Sequence, residues 1–111
     1  MEFVITEFRH CDLLQITGRL DSFTAPVIEK ALNTLIADNR LNIVIDMEKI
    51  TYISSSGILV FVNTQKQLKK LDRGELVIAN ISNHVYSNFE LAGFHNLFDF
   101  YDDVTTAVGK F

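Results

Sequence analysis

Three consecutive serines, Ser54–Ser56, stand directly before Gly57 and bring three hydroxyls together. A buried strand is predicted shortly before them, and a helix is predicted to begin at about Ser56. A serine at a helix start accepts a backbone N–H bond, which accounts for one or two of the three hydroxyls. A remaining hydroxyl is a candidate site for phosphorylation, which would add about two negative charges. The amides of a helix N-terminus attract anions, so the modification could switch binding without unfolding the chain.

The five residues after Gly57, Ile58–Val62, are all apolar. At about 100° per residue they occupy the whole circumference of a helix. Either this turn is buried on every side, or part of it is exposed to a partner. The lysines from Lys66 to Lys70 predict that the far end of the helix is solvated. A hydroxyl cluster beside an apolar helix start suggests a docking surface that a phosphate would disrupt.

Two other hypotheses for this segment, a serine hydrolase and a phosphoaspartate receiver, require residues that the sequence lacks. A serine hydrolase needs Gly-x-Ser-x-Gly, but Ile53 stands where the first glycine belongs. A phosphoaspartate receiver needs an acidic pair after its first strand to hold Mg²⁺. The first strand here ends at Glu7–Arg9, and Asp46 alone is better interpreted as a strand-end residue bonding local amides.

Metal and cofactor sites are not indicated either. His10, His84 and His95 lie far apart, and Cys11 is the only cysteine. No spacing typical of a zinc site occurs among them. Gly57 stands alone rather than in a glycine-rich phosphate loop, so no cofactor is predicted.

Length and composition predict one ordinary domain spanning residues 1–111. Apolar residues make up 48% and charged residues 22%, as in globular proteins. The formal net charge of −4 argues against nucleic acid as a direct partner. One cysteine, no signal peptide and no run of ~18 apolar residues predict a cytoplasmic protein without membrane insertion.

Strand-like and helical patterns alternate along the chain in the order ββαβαβαβα. This order predicts an α/β fold with a small mixed sheet of about five strands and about four helices. The predicted strands are two hairpin strands, Phe3–Phe8 and a run of Leu13, Leu14 and Ile16 that leads to Gly18, then Leu41–Asp46, Glu75–Asn80 and Leu97–Tyr101. The predicted helices start after Ser22 or Thr24, run from Ser56 to Leu71, run from Ser82 or Asn83 to Gly93, and follow Asp102 or Asp103 to Val108. Gly18–Asp21 and Met47–Ile53 are predicted to be connections.

The chain resembles the STAS domains of the anti-sigma-factor antagonist type. The resemblance rests on Gly18–Asp21, on the strand Ile43–Asp46 and on the motif Ile50–Ile58, and it covers essentially the whole chain. Leu91–Phe94 near the end also matches. The family usually has Asp before its phosphorylated serine, and Ser54 occupies that position here.

The resemblance implies a regulatory binding protein and not an enzyme. Its expected partners are an anti-sigma factor that is also a serine kinase of the GHKL ATPase fold, and a PP2C-type phosphatase. Phosphorylation of the serine two positions before the glycine, Ser55, would release the kinase and so control sigma-factor-dependent transcription. The partner-binding residues expected from the motif are Asp21, Ser22, Ser54, Ser56, Gly57, Ile58 and Leu59.

Two alternatives remain open at this point. Some STAS domains are not phosphorylated and act as scaffolds in signalling complexes or as soluble subunits of lipid-transport systems. Asp21 is equally well interpreted as a carboxylate that caps the following helix.

Overall fold

A five-stranded mixed sheet forms the centre of the computed structural model, which describes residues 1–111. The strands lie side by side in chain order: β1 (Glu2–Glu7), β2 (Asp12–Leu20), β3 (Asn42–Ile53), β4 (Glu75–Ala79) and β5 (Phe100–Tyr101). The helices are α1 (Ala25–Ala37), α2 (Ser55–Lys70), α3 (Asn83–Leu91) and α4 (Val104–Gly109), with a 3₁₀ turn at His95–Leu97. The predicted fold class and element order are confirmed.

Pairing within the sheet follows the lengths of the connections. β1 and β2 are antiparallel and are joined by a tight hairpin, as predicted. The pairs β2–β3, β3–β4 and β4–β5 are all parallel, because each of these connections contains a helix. The carboxyl ends of β2, β3 and β4 therefore meet at one edge of the sheet, and their amino ends meet at the opposite edge.

The two faces of the sheet are covered unequally. On one face α1, α2 and α3 contribute to a core of 22 buried residues, which includes Phe61 and Phe89. On the other face the short helix α4 covers a cluster of only six buried residues, which includes Val44 and Ala107. No helix of the chain is both long and apolar enough to cross a bilayer.

The predicted connections at Gly18–Asp21 and Met47–Ile53 are largely wrong, because β2 continues to Leu20 and β3 to Ile53. β3 carries an extra residue at each of two register shifts against β2, opposite Gln15–Thr17 and Gly18–Arg19. Such bulges break the two-residue alternation of a strand. In this part of β3 the buried residues are Met47, Ile50 and Ile53, one in every three. This spacing differs from the alternation that predicts a strand, so the sequence pattern indicated a connection.

The last predicted strand, Leu97–Tyr101, is shorter than expected. Only Phe100 and Tyr101 pair with β4, and Leu97 ends the 3₁₀ turn. The rings of Phe98 and Phe100 pack edge-to-face with Phe89 of α3, with ring centroids 5.7 and 6.1 Å from it. The alternation of aromatic residues thus reflects packing against α3 more than strand pairing.

Candidate functional site

The serine segment lies at the edge of the sheet where β2 and β3 end. The backbone N–H of Ser54 donates to the carbonyl oxygen of Leu20 at 2.9 Å. This bond places the loop after β2, with Asp21 and Ser22, beside the start of α2. The two segments that the sequence assigned to one surface are therefore adjacent in space.

Ser54 is the N-cap of α2. It has extended backbone geometry, and its Oγ accepts the N–H of Gly57 at 3.2 Å. Its carbonyl accepts the N–H of Ile58 at 3.0 Å, which closes the first helical turn. Capping thus uses the hydroxyl of one serine and leaves the other two free.

Ser55 and Ser56 are the first two residues of α2, and both are exposed. Neither hydroxyl makes a hydrogen bond within the chain, so each is available to a partner or a modifying enzyme. Ser55 also borders a groove of about 350 Å³ between the start of α2 and the end of α3. Tyr52 and Leu91 both line this groove, and Ser56 does not.

The start of α2 suits an anion at Ser55. The first turn of the helix contains no acidic residue, and the free amides of a helix N-terminus carry partial positive charge. At the end of β2, Arg19 forms an ion pair with Asp21 at 4.0 Å, and its guanidinium lies 4.3 Å from the centre of the Tyr52 ring. A phosphate on Ser55 would therefore be compatible with the fold.

Asp21 organises the neighbouring loop. Its Oδ1 accepts the backbone N–H of Phe23 at 3.0 Å and that of Thr24 at 3.1 Å. The hydrogen bond from the Thr24 backbone is the main reason why the pKa of the Asp21 carboxyl is lowered. These amides lie before α1, whose N-cap is Thr24 without a side-chain cap bond, so Asp21 orders the turn that leads into the helix and the interpretation of Asp21 as a helix cap is wrong. Ser22, which follows it, is exposed at the surface.

Gly57 is buried and permits close packing inside the chain. A Cβ at this position would stand 2.9 Å from the Leu20 carbonyl oxygen and 2.9 Å from Cγ1 of Ile53. The end of β2 can therefore lie directly against α2 only because residue 57 has no side chain. Gly57 is therefore a packing residue, and it offers no side chain to a partner.

The apolar turn after Gly57 is mostly buried. Ile58 is only 3% exposed and belongs to the main core, so the expectation that it offers apolar area to a partner is wrong. Val60, Phe61 and Val62 are buried as well, whereas Leu59 is 43% exposed. Of the two alternatives for this turn, burial holds for every residue except Leu59.

Three exposed apolar residues on the segments around the serines were not predicted from the sequence. Phe23 is 90% exposed in the loop after β2, Leu91 is 87% exposed at the end of α3, and Tyr52 is partly exposed at the end of β3. Phe23 and Leu91 are the two most exposed large apolar side chains in the chain. A signal for Phe23 existed, because it directly follows Asp21 and Ser22, but a lone phenylalanine in a loop does not reveal its exposure.

Asp46 lies within β3 and is buried, rather than at a strand end. Its Oδ1 accepts the backbone N–H of Glu48 at 3.0 Å and a bond from Asn80 at 3.2 Å, and its Oδ2 accepts from Gln15 at 3.0 Å. The predicted amide bonding is thus present, together with two side-chain partners. No group of three or more His, Cys, Asp and Glu side chains is arranged to hold a metal ion.

Comparisons with known proteins agree on one family. The family model described as "STAS domain" matches residues 2–107. The chain is 32% identical over 84 residues to the anti-sigma-B factor antagonist of Staphylococcus aureus strain NCTC 8325, covering 76% of this chain and 77% of that protein.

Solved structures show the same fold at lower sequence identity. An anti-sigma factor antagonist from Mycobacterium paratuberculosis superposes with a TM-score of 0.87 at 20% identity, covering 98% of this chain and 92% of the other. The Bacillus cell fate determinant SpoIIAA in its phosphorylated form gives a TM-score of 0.78 at 18% identity, covering 98% of both chains.

Proposed function

The chain belongs to the STAS domain family, as the resemblance indicated, and from this premise we propose that it is an anti-sigma factor antagonist controlled by phosphorylation of Ser55. One observation carries the proposal: Ser55 presents an exposed, unbonded hydroxyl at a helix N-terminus, beside a groove that is also lined by Tyr52 and the highly exposed Leu91. The names of the relatives support the antagonist role. The position of Ser55 supports the switch.

The unmodified surface suits a protein partner. Phe23, Leu59 and Leu91 are exposed apolar side chains on the segments around the serine hydroxyls, and burial of apolar area drives most protein–protein association. The proposed partner is an anti-sigma factor that is also a serine kinase of the GHKL ATPase fold. Binding to it would keep that factor from its sigma factor.

Phosphorylation would weaken the complex through electrostatic repulsion and the cost of desolvating the phosphate. The phosphate would stay favourable for the isolated chain, since it would sit at the amide end of α2. In the complex it would have to be buried against a partner surface shaped for a neutral hydroxyl, which costs free energy unless new cations pair with it. The same group would therefore weaken the complex and leave the fold intact.

The chain's own part in phosphate transfer is to present the hydroxyl. Oγ of Ser55 forms the new bond to the γ-phosphorus of ATP, the bond from that phosphorus to the bridging oxygen breaks, and ADP leaves. The partner kinase supplies the ATP, the Mg²⁺ and the base that takes the serine proton. A PP2C-type phosphatase would hydrolyse the phosphoserine and restore binding. The chain itself would be a cytoplasmic regulator and not an enzyme.

Intact-mass measurement after incubation with the candidate anti-sigma factor kinase and ATP tests the proposal. One added phosphoryl group is expected on the wild-type chain and on Ser56→Ala, and none on Ser55→Ala. Ser56 is the matched control because it is equally exposed and lies one residue away. Phosphorylation of Ser55→Ala would contradict Ser55 as the phosphoacceptor, and so would the absence of phosphorylation on every chain, the wild type included.

A further inference from the structure

A second concave site lies at the opposite edge of the sheet from Ser55. The strands β2, β3 and β4 begin there, and a cavity of about 300 Å³ opens between the segments that lead into them. Its lining includes the β1–β2 hairpin turn, the segment between α1 and β3, and Arg73 with Gly74 before β4. The proposed function uses none of these residues.

The lining concentrates positive charge in a chain that is negative overall. The chain has four arginines and a formal net charge of −4, yet Arg9, Arg40 and Arg73 all line this cavity. His10 lines it as well. Asp12 contributes the only acidic side chain of the lining, and it is 2% exposed.

Arg40 is held in place by the chain itself. Its Nε donates to Oδ2 of Asp12 at 2.7 Å, and its Nη2 donates to the carbonyl oxygens of Phe8 at 2.6 Å and Cys11 at 3.2 Å. The Asp12 charge is therefore already neutralised. Nη1 of Arg40 makes no hydrogen bond within the chain and remains free to donate.

Arg73 is oriented but not neutralised. Its Nη2 donates to Oδ1 of Asn39 at 3.0 Å, and neither Arg73 nor Arg9 has a carboxylate within ion-pair distance. Gly74 fixes the backbone beside Arg73, because a Cβ there would collide with the carbonyl oxygen of Leu41. Glu7 acts electrostatically on Arg40 but does not line the cavity.

We propose that this cavity binds a small anion carrying more than one phosphoryl group. Guanidinium groups recognise phosphate oxygens through paired, charge-assisted hydrogen bonds, and pre-oriented guanidiniums lose little freedom in doing so. Because the arginines come from three separate segments of the chain, a diphosphate unit can engage more of them at once than a single phosphate. The shared chemistry is the diphosphate group, whether free or attached to an organic molecule.

Titration of the ¹⁵N-labelled chain with inorganic pyrophosphate, followed by NMR, tests this proposal. Saturable shifts are expected at amides of residues 9–12, 39–42 and 73–74, with weaker binding of inorganic monophosphate. Arg73→Gln should bind pyrophosphate about tenfold more weakly. Arg73 is exposed, so the variant is expected to keep its fold, which the dispersion of its spectrum checks.

Two controls decide how the result is interpreted. Arg19→Gln removes the one arginine outside the cavity, and Ser55→Ala removes the proposed phosphoacceptor; both should bind pyrophosphate like the wild type. Shifts that do not saturate, equal affinity in Arg73→Gln, or equal weakening in Arg19→Gln would each overturn the proposal. Ser55→Ala affects only the proposed phosphorylation site. A failure of the pyrophosphate test therefore leaves the proposed function untouched, and a failure of the phosphorylation test leaves the anion site untouched.

Discussion

The backbone N–H of Ser54 lies 2.9 Å from the carbonyl oxygen of Leu20 and donates a hydrogen bond to it. This bond joins the end of β2 to the start of α2 and fixes where Ser55 meets solvent. The same carbonyl oxygen lies 2.9 Å from the position that a Cβ on Gly57 would occupy. The position of Ser55 at the surface therefore depends on a hydrogen bond and a close contact at one backbone atom.

Gly57→Ala is expected to destabilise the chain by ~1–3 kcal/mol, since the new methyl group must displace backbone at Leu20. Helix propensity alone would favour alanine by about 1 kcal/mol, so the sign of the change separates packing from propensity. Urea denaturation measures it. Gly109→Ala in α4 is the control, because its Cβ would meet nothing within 4 Å. A Gly57→Ala chain as stable as the wild type would contradict the close contact.

Ser54→Ala is expected to lower the free energy of unfolding by ~1 kcal/mol, because the N–H of Gly57 loses its acceptor. Ser54→Asp should retain that stability, since Asp is an equally good N-cap and carries the charge that a helix N-terminus prefers. Ser56→Ala, whose side chain makes no hydrogen bond, is the control. If Ser54→Asp proves as unstable as Ser54→Ala, the side-chain cap is not the source of the effect.

Phe23→Ala and Leu91→Ala are each expected to weaken binding of the anti-sigma factor about tenfold, because Leu91 lines the groove beside Ser55 and Phe23 is exposed in the loop after β2. Their stabilities should stay within about 0.5 kcal/mol of the wild type, since both side chains are solvated in the free chain. Leu71→Ala provides the comparison, because Leu71 is also exposed but follows the other end of α2. Calorimetric titration measures the affinities, and unchanged affinity in both Phe23→Ala and Leu91→Ala would remove these residues from the interface.

A pH-dependent contribution to stability is expected from Lys110, whose Nζ contacts Glu75 at 2.6 Å and Asp99 at 2.9 Å. Burial opposes the charged ammonium, but its bonds to the two carboxylates outweigh this and raise its pKa. The hydrogen bond from Lys110 in turn lowers the pKa of Asp99. A carboxyl with a lowered pKa in the folded state stabilises the fold above its unfolded pKa of about 4 and ceases to do so as pH falls through the folded value.

Lys110→Gln should therefore be less stable than the wild type at neutral pH, and the gap should narrow as pH falls below about 4. Thermal unfolding across this range measures the gap. Lys66→Gln, an exposed lysine of α2 outside this cluster, should show no such dependence. A gap for Lys110→Gln that stays constant with pH would mean that the ion pairs do not contribute.

Much of the fold could be predicted because local patterns and tertiary structure agree. The stripe Ile28, Leu32 and Leu35 faces the core as the helical spacing indicated, and Asp103 caps α4 through the N–H of Thr106 at 2.7 Å. The length of β3 could not be predicted, because its two bulges arise from pairing with β2. Register shifts between strands leave no local signal in either strand alone.

The position of the candidate site was predicted from the sequence, but the burial and exposure of its side chains were not. The motif located the serines, and the structure shows that Ser54 is the cap and Ser55 and Ser56 are exposed. Burial of Ile58 and exposure of Leu59 depend on which side of α2 faces the sheet, and an all-apolar run hides that direction. Leu91 enters the surface only because α3 ends beside α2, which is a tertiary contact.

The affinity of the anti-sigma factor for the unmodified chain and for the Ser55-phosphorylated chain tests the central claim most directly. Calorimetric titration of both forms, with Ser55→Ala and Ser55→Asp beside them, measures it under one set of conditions. We expect Ser55→Ala to bind like the unmodified chain, and the phosphorylated chain and Ser55→Asp to bind at least about tenfold more weakly, or ~1.4 kcal/mol. Equal affinity of the phosphorylated and unmodified chains would contradict phosphorylation of Ser55 as the switch.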